Sequence, residues 1–153
     1  MNVIDTLKET EIFAGHSDAQ LQKLSTLAKR ITIDAGDRII GEGDVPGELF
    51  VIESGELAII VEPAQSKVNT NSVPLVTLGR GQIVGEVSLI DRGPRSASVL
   101  CASEKATLLV FNLDALTALL DEDPAIGYLI MRNLAADMAF KLRQRNIREK
   151  LLP

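Results

Sequence analysis

The stretch VGEVSLIDRGPRSASV, residues 84–99, is mostly apolar, with Val84, Val87, Leu89, Ile90, Ala97 and Val99. It also carries a lone carboxylate at Glu86, a lone guanidinium at Arg95 and a rigid Gly93-Pro94 kink between them. Residues 86–90 suit one or two helical turns. Gly85 before them has no Cβ to keep a ligand from the backbone. The N–H groups that open such a turn favour an anion. Gly93-Pro94 then redirects the chain so that Arg95 can reach back over those groups, its flat fork of donors matching a phosphate, with the Ser96 hydroxyl beside it. Glu86 would repel that anion, so its natural partner is a sugar hydroxyl.

Outward from this stretch the periodicity is that of short strands. RITID, DRII, ELFVIES, ELAIIVE, PLVTL, SASVLCAS and ATLLVFN are rich in β-branched residues, with turn signals between them at 35–37, 41–44, 54–56 and 79–81. Such spacing predicts a sandwich, jelly roll or small barrel, with Gly36, Gly43, Gly55 and Gly81 in turns that need positive φ. The polar segment 63–73 reads as a hairpin loop. Before residue 30, Leu21, Leu24, Leu27 and Ala28 follow a helical period behind an N-cap signal at Ser17-Asp18. After Phe111 the helical period returns, first in LDALTALLDED and then in a long helix with Pro124 near its start. The expected fold class is α+β, mainly β: a β-roll or jelly roll of about eight strands, N-terminal helices and a long C-terminal helix. One domain spans 1–153, divided into a helical lead-in (1–29), the roll (30–112) and C-terminal helices (113–153).

The 153 residues are 46% hydrophobic with a net charge of -5, no Trp, one Tyr and four Phe, so the core must be largely aliphatic. A single cysteine, Cys101, excludes an intrachain disulfide and suits a reducing cytoplasm. It lies in the apolar run VLCAS and reads as a buried small residue. The N-terminus lacks the charged and apolar regions of a secretory signal, and no run approaches the ~18 apolar residues of a membrane span; the expectation is a soluble, cytoplasmic protein. Residues 141–150 hold five basic residues against Glu149 on an otherwise acidic chain. That tail reads as a solvated helix end, not as a DNA-contacting surface. With one histidine, His16, and one cysteine, no His/Cys metal site can be assembled. Neither Ser88 nor Ser96 has a histidine near it in sequence, which argues against a serine hydrolase.

The segment GEVSLIDRGPRSASV closely resembles the phosphate-binding cassette of cyclic-nucleotide-binding domains, the family of catabolite activator proteins, kinase regulatory subunits and cyclic-nucleotide-gated channels. The likeness extends through LKETEIFAGHSDAQLQKLSTLAKR, AGDRIIGEGDVPGELFVIESGELAII and LGRGQIVGE to the final helix, over roughly residues 3–150. It implies a non-enzymatic receptor for a 3′,5′-cyclic nucleotide, with no cofactor or metal. A ligand with one phosphate charge beside a free ribose hydroxyl would satisfy Arg95 and Glu86 together. Glu86 is expected on the ribose 2′-hydroxyl, Arg95 on the cyclic phosphate, and Ser96 with the backbone of Gly85, Val87, Ser88 and Ala97 around them. Ser96, where a Thr would suggest cyclic GMP, leans towards cyclic AMP.

The family uses the last helix as a lid over the base, which makes Arg145, Asn146, Phe140 and Leu142 the lid candidates. Met131, Leu134, Met138 and Leu142 follow a 3–4 spacing that suits either packing on the roll or a homodimer seam. The sequence stops at Pro153, where some relatives continue into a helix-turn-helix. The expectation is therefore a stand-alone receptor acting on a protein effector through movement of this helix. A ligand-free scaffold of the same fold and a truncated transcription-factor sensor are the alternatives.

Overall fold

The computed structural model of the chain describes residues 2–60 and 74–151, with side chains at 74–75 and 147–151 excepted. The expected hairpin loop at 63–73, with Val61 and Glu62 of the run before it, lies outside the described residues. The chain opens with α1 (Val3–Lys8), capped by the Asn2 side chain, then a 3-10 turn at Glu11–Phe13 and α2 (Asp18–Ser25). Ser17 and Gln20 form a reciprocal capping box at the start of α2, so the Ser17 signal is confirmed. The helix stops at Ser25, and Leu27 and Ala28 follow it as half-buried residues packed against the core.

Two four-stranded antiparallel sheets follow. The first has the order β1 (Lys29–Asp34), β8 (Lys105–Asn112), β3 (Glu48–Ser54), β6 (Ile83–Val84). The second has the order β2 (Arg38–Ile40), β7 (Ser98–Cys101), β4 (Leu57–Ile60), β5 (Pro74–Leu78). Seven of the eight were visible as β-branched runs. The eighth, β6, is two residues long, too short to show alternation, and is held by pairing Phe50 with Val84 and Val51 with Ile83. The four turn glycines all adopt positive φ.

β3 and β8 are covered on both faces, which explains their unbroken apolar runs. Successive residues point to opposite sides. Phe50, Ile52, Leu108 and Val110 pack with Ile40, Leu57, Val99 and Cys101 between the sheets. Leu49, Val51, Leu109 and Phe111 pack with Leu7, Phe13, Leu24, Leu116, Ile126 and Ile130 under the helices. Each side chain of this size contributes roughly 1.5–3 kcal/mol on burial. α4 (Leu113–Glu122), capped by Asn112, and α5 (Pro124–Leu151) close the helical layer. Gly127 lets them cross closely, because a Cβ there would stand 2.6 Å from the Leu120 carbonyl. The 3–4 stripe on α5 divides: Leu134 is core, Met138 half-buried, and Met131 and Leu142 face outward.

The helical lead-in is pinned to the roll at Glu53. This buried carboxylate on β3 accepts from Arg30 Nε at 2.8 Å, Arg30 Nη2 at 3.0 Å and Thr6 Oγ1 at 3.1 Å. Glu53→Ala should therefore cost about 1–3 kcal/mol, the range for hydrogen bonds to a charged group with one half-exposed partner. The hydrogen bond from Arg30 holds the Glu53 carboxyl below its ordinary range against the opposing effect of burial. The stability it adds is present above that range and lost as pH falls through the lowered value. Urea melts from pH 7 to pH 3 should show a shallower acid loss in Glu53→Ala than in the wild type.

Candidate functional site

The stretch 84–99 folds as a strand end, a turn, one short helix and a return. Gly85 takes φ +88°, Leu89 N–H bonds back to the Glu86 carbonyl at 3.1 Å, and α3 runs from Ser88 to Asp91. The helix thus begins two residues later than the predicted 86–90. It is ended by Arg92 in the left-handed region at φ 57°, before Gly93. The Arg92 side chain meets Asp114 at 2.9 Å and Thr117 Oγ1 at 3.3 Å, which tethers the end of α3 to α4. The Gly93 N–H is taken by Asp91 Oδ1 at 2.8 Å.

Arg95 is held from both ends. Its backbone exchanges hydrogen bonds with the 41–47 turn, accepting from Gly43 N–H at 2.8 Å and donating to the Asp44 carbonyl at 3.1 Å. Arg95 as a residue is nine-tenths buried. In its guanidinium, Nη2 donates to the Glu48 carbonyl, and Nη1 donates to Ser88 Oγ at 3.2 Å and, at 3.5 Å, to the Gly85 carbonyl. These contacts leave the Nε–H and one Nη2–H of the five donors for an anion. Burial pulls the Arg95 pKa down, opposed by the charges of Glu48, Asp44 and Glu86. The structure gives Gly85 a reason beyond ligand approach: a Cβ there would lie 2.8 Å from Arg95 Nη1 and 3.0 Å from the Glu48 carbonyl.

Glu86 and Arg95 both face one cavity of about 640 Å³, within the range of small-molecule sites. Gly85, Val87, Ser88, Ser96 and Ala97 line it as well. The buried Ser88 hydroxyl supports Arg95, whereas the Ser96 side chain is exposed at the cavity. Ile40, Ile59, Val76, Leu78 and Val99 of the second sheet form an aliphatic wall. Sequence reasoning missed that wall, because alternation alone does not separate core-facing from cavity-facing positions.

α5 reaches the cavity with Asp137 and Lys141. Lys141 Nζ lies 2.8 Å from Asp137 and 3.8 Å from the Glu86 carboxylate. Burial pushes the Glu86 carboxyl up; Lys141 and Arg95 pull it back and Asp137 adds to the rise. Burial alone would lower the Lys141 ammonium, but the hydrogen bond to Asp137 and the charges of Glu86, Asp137 and Glu11 hold it above its ordinary value. The four lid candidates are exposed and do not line the cavity. Phe140 and Leu142 are turned by a third of a helical turn from Lys141, and Arg145 and Asn146 lie about 6 Å or more further along the axis. The signal available was the Asp137–Lys141 pair at i, i+4. Among the described residues no group of His, Cys, Asp or Glu is placed to hold a metal ion.

The chain folds as a sandwich of two antiparallel sheets with a cavity at its short helix, and the pattern of the cyclic nucleotide-binding domain matches residues 30–123. The chain belongs to the cyclic nucleotide-binding domain family. The cyclic AMP receptor protein of Thermus thermophilus is 29% identical over 95% of this chain and 63% of its own length. A cGMP-dependent protein kinase of Plasmodium berghei is 34% identical over 61% of this chain and 10% of its own length. A cyclic nucleotide-binding domain from Methylobacillus flagellatus superposes with a TM-score of 0.78 at 25% identity, over 99% of this chain and 83% of that one. The chain thus spans less than two thirds of both curated relatives.

Gly36 provides a control for the role of Gly85, since its φ is +84° but a Cβ there meets nothing within 4 Å. Both Gly→Ala changes carry backbone strain of roughly 1–3 kcal/mol. Gly85→Ala alone also displaces Arg95, so its melting temperature should fall clearly below that of Gly36→Ala. Equal losses would mean that the guanidinium does not depend on that space.

Proposed function

We propose that this domain is a receptor for a 3′,5′-cyclic nucleotide, favouring cyclic AMP over cyclic GMP, and that it signals through its C-terminal helix. The observation that carries the reading is the pairing, across one cavity, of Arg95 with two uncommitted donors and Glu86 with an enclosed carboxylate. In this reading Arg95 grips the cyclic phosphate, Ser96 and the backbone of Gly85, Val87, Ser88 and Ala97 surround it, and Glu86 accepts from the ribose 2′-hydroxyl. The base lies along the aliphatic wall. The role in this reading is binding; among the described residues the cavity lining holds no histidine to activate a serine.

The preference for cyclic AMP is supported by Ser96 and by the Thermus relative that matches 95% of this chain. Signalling through α5 is supported by Lys141, which stands 3.8 Å from the carboxylate that would receive the ribose. A ligand that binds better to one position of that helix shifts its population. The outward Tyr128, Met131 and Leu142 make α5 the candidate homodimer seam. No helix among the described residues is long and apolar enough to cross a membrane, and the single cysteine fits a cytoplasmic location with a protein effector as the partner.

Calorimetry with cyclic AMP and cyclic GMP tests the reading directly. Cyclic AMP should bind with a Kd in the micromolar range or tighter, about -8 kcal/mol, and more tightly than cyclic GMP; no heat and no thermal shift at millimolar ligand would refute binding. Glu86→Gln should weaken cyclic AMP by about 1.5–3 kcal/mol while hardly changing its 2′-deoxy analogue. Arg95→Lys should weaken both ligands, and it should also lower the melting temperature without ligand, because Lys cannot bridge Glu48, Ser88 and Gly85 with one point charge.

A further inference from the structure

The charged side chains that line the cavity, among the described residues, are four carboxylates (Glu11, Glu86, Asp91 and Asp137) and two cations (Arg95 and Lys141). The site that would receive a phosphate is therefore acidic overall. Both cations are already engaged. Lys141 sits 2.8 Å from Asp137 and 3.8 Å from Glu86, within the field of Glu11. Arg95 is committed to Glu48, Ser88 and Gly85 and keeps two donors. A cyclic phosphodiester carries a single negative charge, which one guanidinium edge matches. The ring-opened phosphomonoester of the same nucleoside carries between one and two at neutral pH. Its extra charge would have to be met by Lys141, which the carboxylates hold.

We propose that Glu11 on the 3-10 turn and Asp137 on α5 act as an electrostatic filter, which makes the cavity select cyclic phosphodiesters against phosphomonoesters of the same nucleoside. This rests on the cyclic-nucleotide reading above. Both residues lie outside the segment 30–123 that the family pattern matches, on the helical layer that flanks the roll. Glu86 is reserved for the ribose, and Asp91 is held by the Gly93 N–H at 2.8 Å. Glu11 and Asp137 are the two carboxylates that face Lys141 without such a role.

The test measures Kd for cyclic AMP and for 5′-AMP, by competition against a fluorescent cyclic AMP analogue, in the wild type and in Glu11→Gln/Asp137→Asn. The double variant should tighten 5′-AMP at least about tenfold and cyclic AMP by no more than about threefold, as removal of two nearby like charges predicts. The wild-type preference for cyclic AMP should also shrink between 50 mM and 500 mM salt, as a charge effect does and a shape effect does not. Exposed Glu11→Gln alone should show the same trend at about threefold, so a folding defect at Asp137 does not decide the outcome. Equal tightening of both ligands, or an unchanged 5′-AMP affinity in both variants, overturns the filter. A wild type that binds neither the competition probe nor cyclic AMP overturns the underlying reading, and the filter with it.

Discussion

The guanidinium of Arg95 is the constraint around which the site is built. A buried charge that lost its partners would be costly, and its partners come from three places in the chain: the Glu48 carbonyl at the start of β3, Ser88 on α3 and the Gly85 carbonyl at the turn. Satisfying them fixes where the return limb of the cassette can lie. It also forces residue 85 to be glycine, since the positive φ and the guanidinium leave no place for a Cβ. The same side chain is thus a brace for the fold and the cation that the proposed reading assigns to the ligand.

From that point the connections run outward. Glu48 pairs with Asn112, and Asn112 caps α4. Arg92, at the other end of the cassette, is tied to Asp114 and Thr117 on the same helix. α4 packs on α5 at Gly127, and α5 returns to the cavity with Asp137 and Lys141. The cassette and the long helix are therefore joined by a closed path of short contacts. A second path leads from Glu53 through Arg30 and Thr6 to α1, and the neighbouring Arg80 pairs with Glu9 at 2.6 Å.

Much of this was legible in the sequence. The strand runs, the capping signal at Ser17 and the turn glycines are local signals, set by alternation and φ preference, and they survive in the folded chain. The juxtaposition of Glu86 and Arg95 was legible only because turn chemistry and family likeness bracket both within a few residues. The α5 side of the cavity was not. Asp137 and Lys141 lie some forty residues beyond the cassette, on α5, and which turn of that helix crosses the cavity depends on the packing at Gly127 and Leu134, not on any local pattern. The two-residue β6 was hidden for the same reason: it exists only through partners on β3, distant in sequence.

The central claim is that one cavity holds phosphate at Arg95 and ribose at Glu86. A crystal structure of the protein with cyclic AMP tests it most directly. The account predicts a phosphate oxygen within hydrogen-bond distance of the Arg95 guanidinium and the ribose 2′-hydroxyl on the Glu86 carboxylate, with Arg95 still bonded to the Glu48 carbonyl. A nucleotide bound with its phosphate away from Arg95, or with Glu86 still paired to Lys141 and the 2′-hydroxyl turned to solvent, would contradict it.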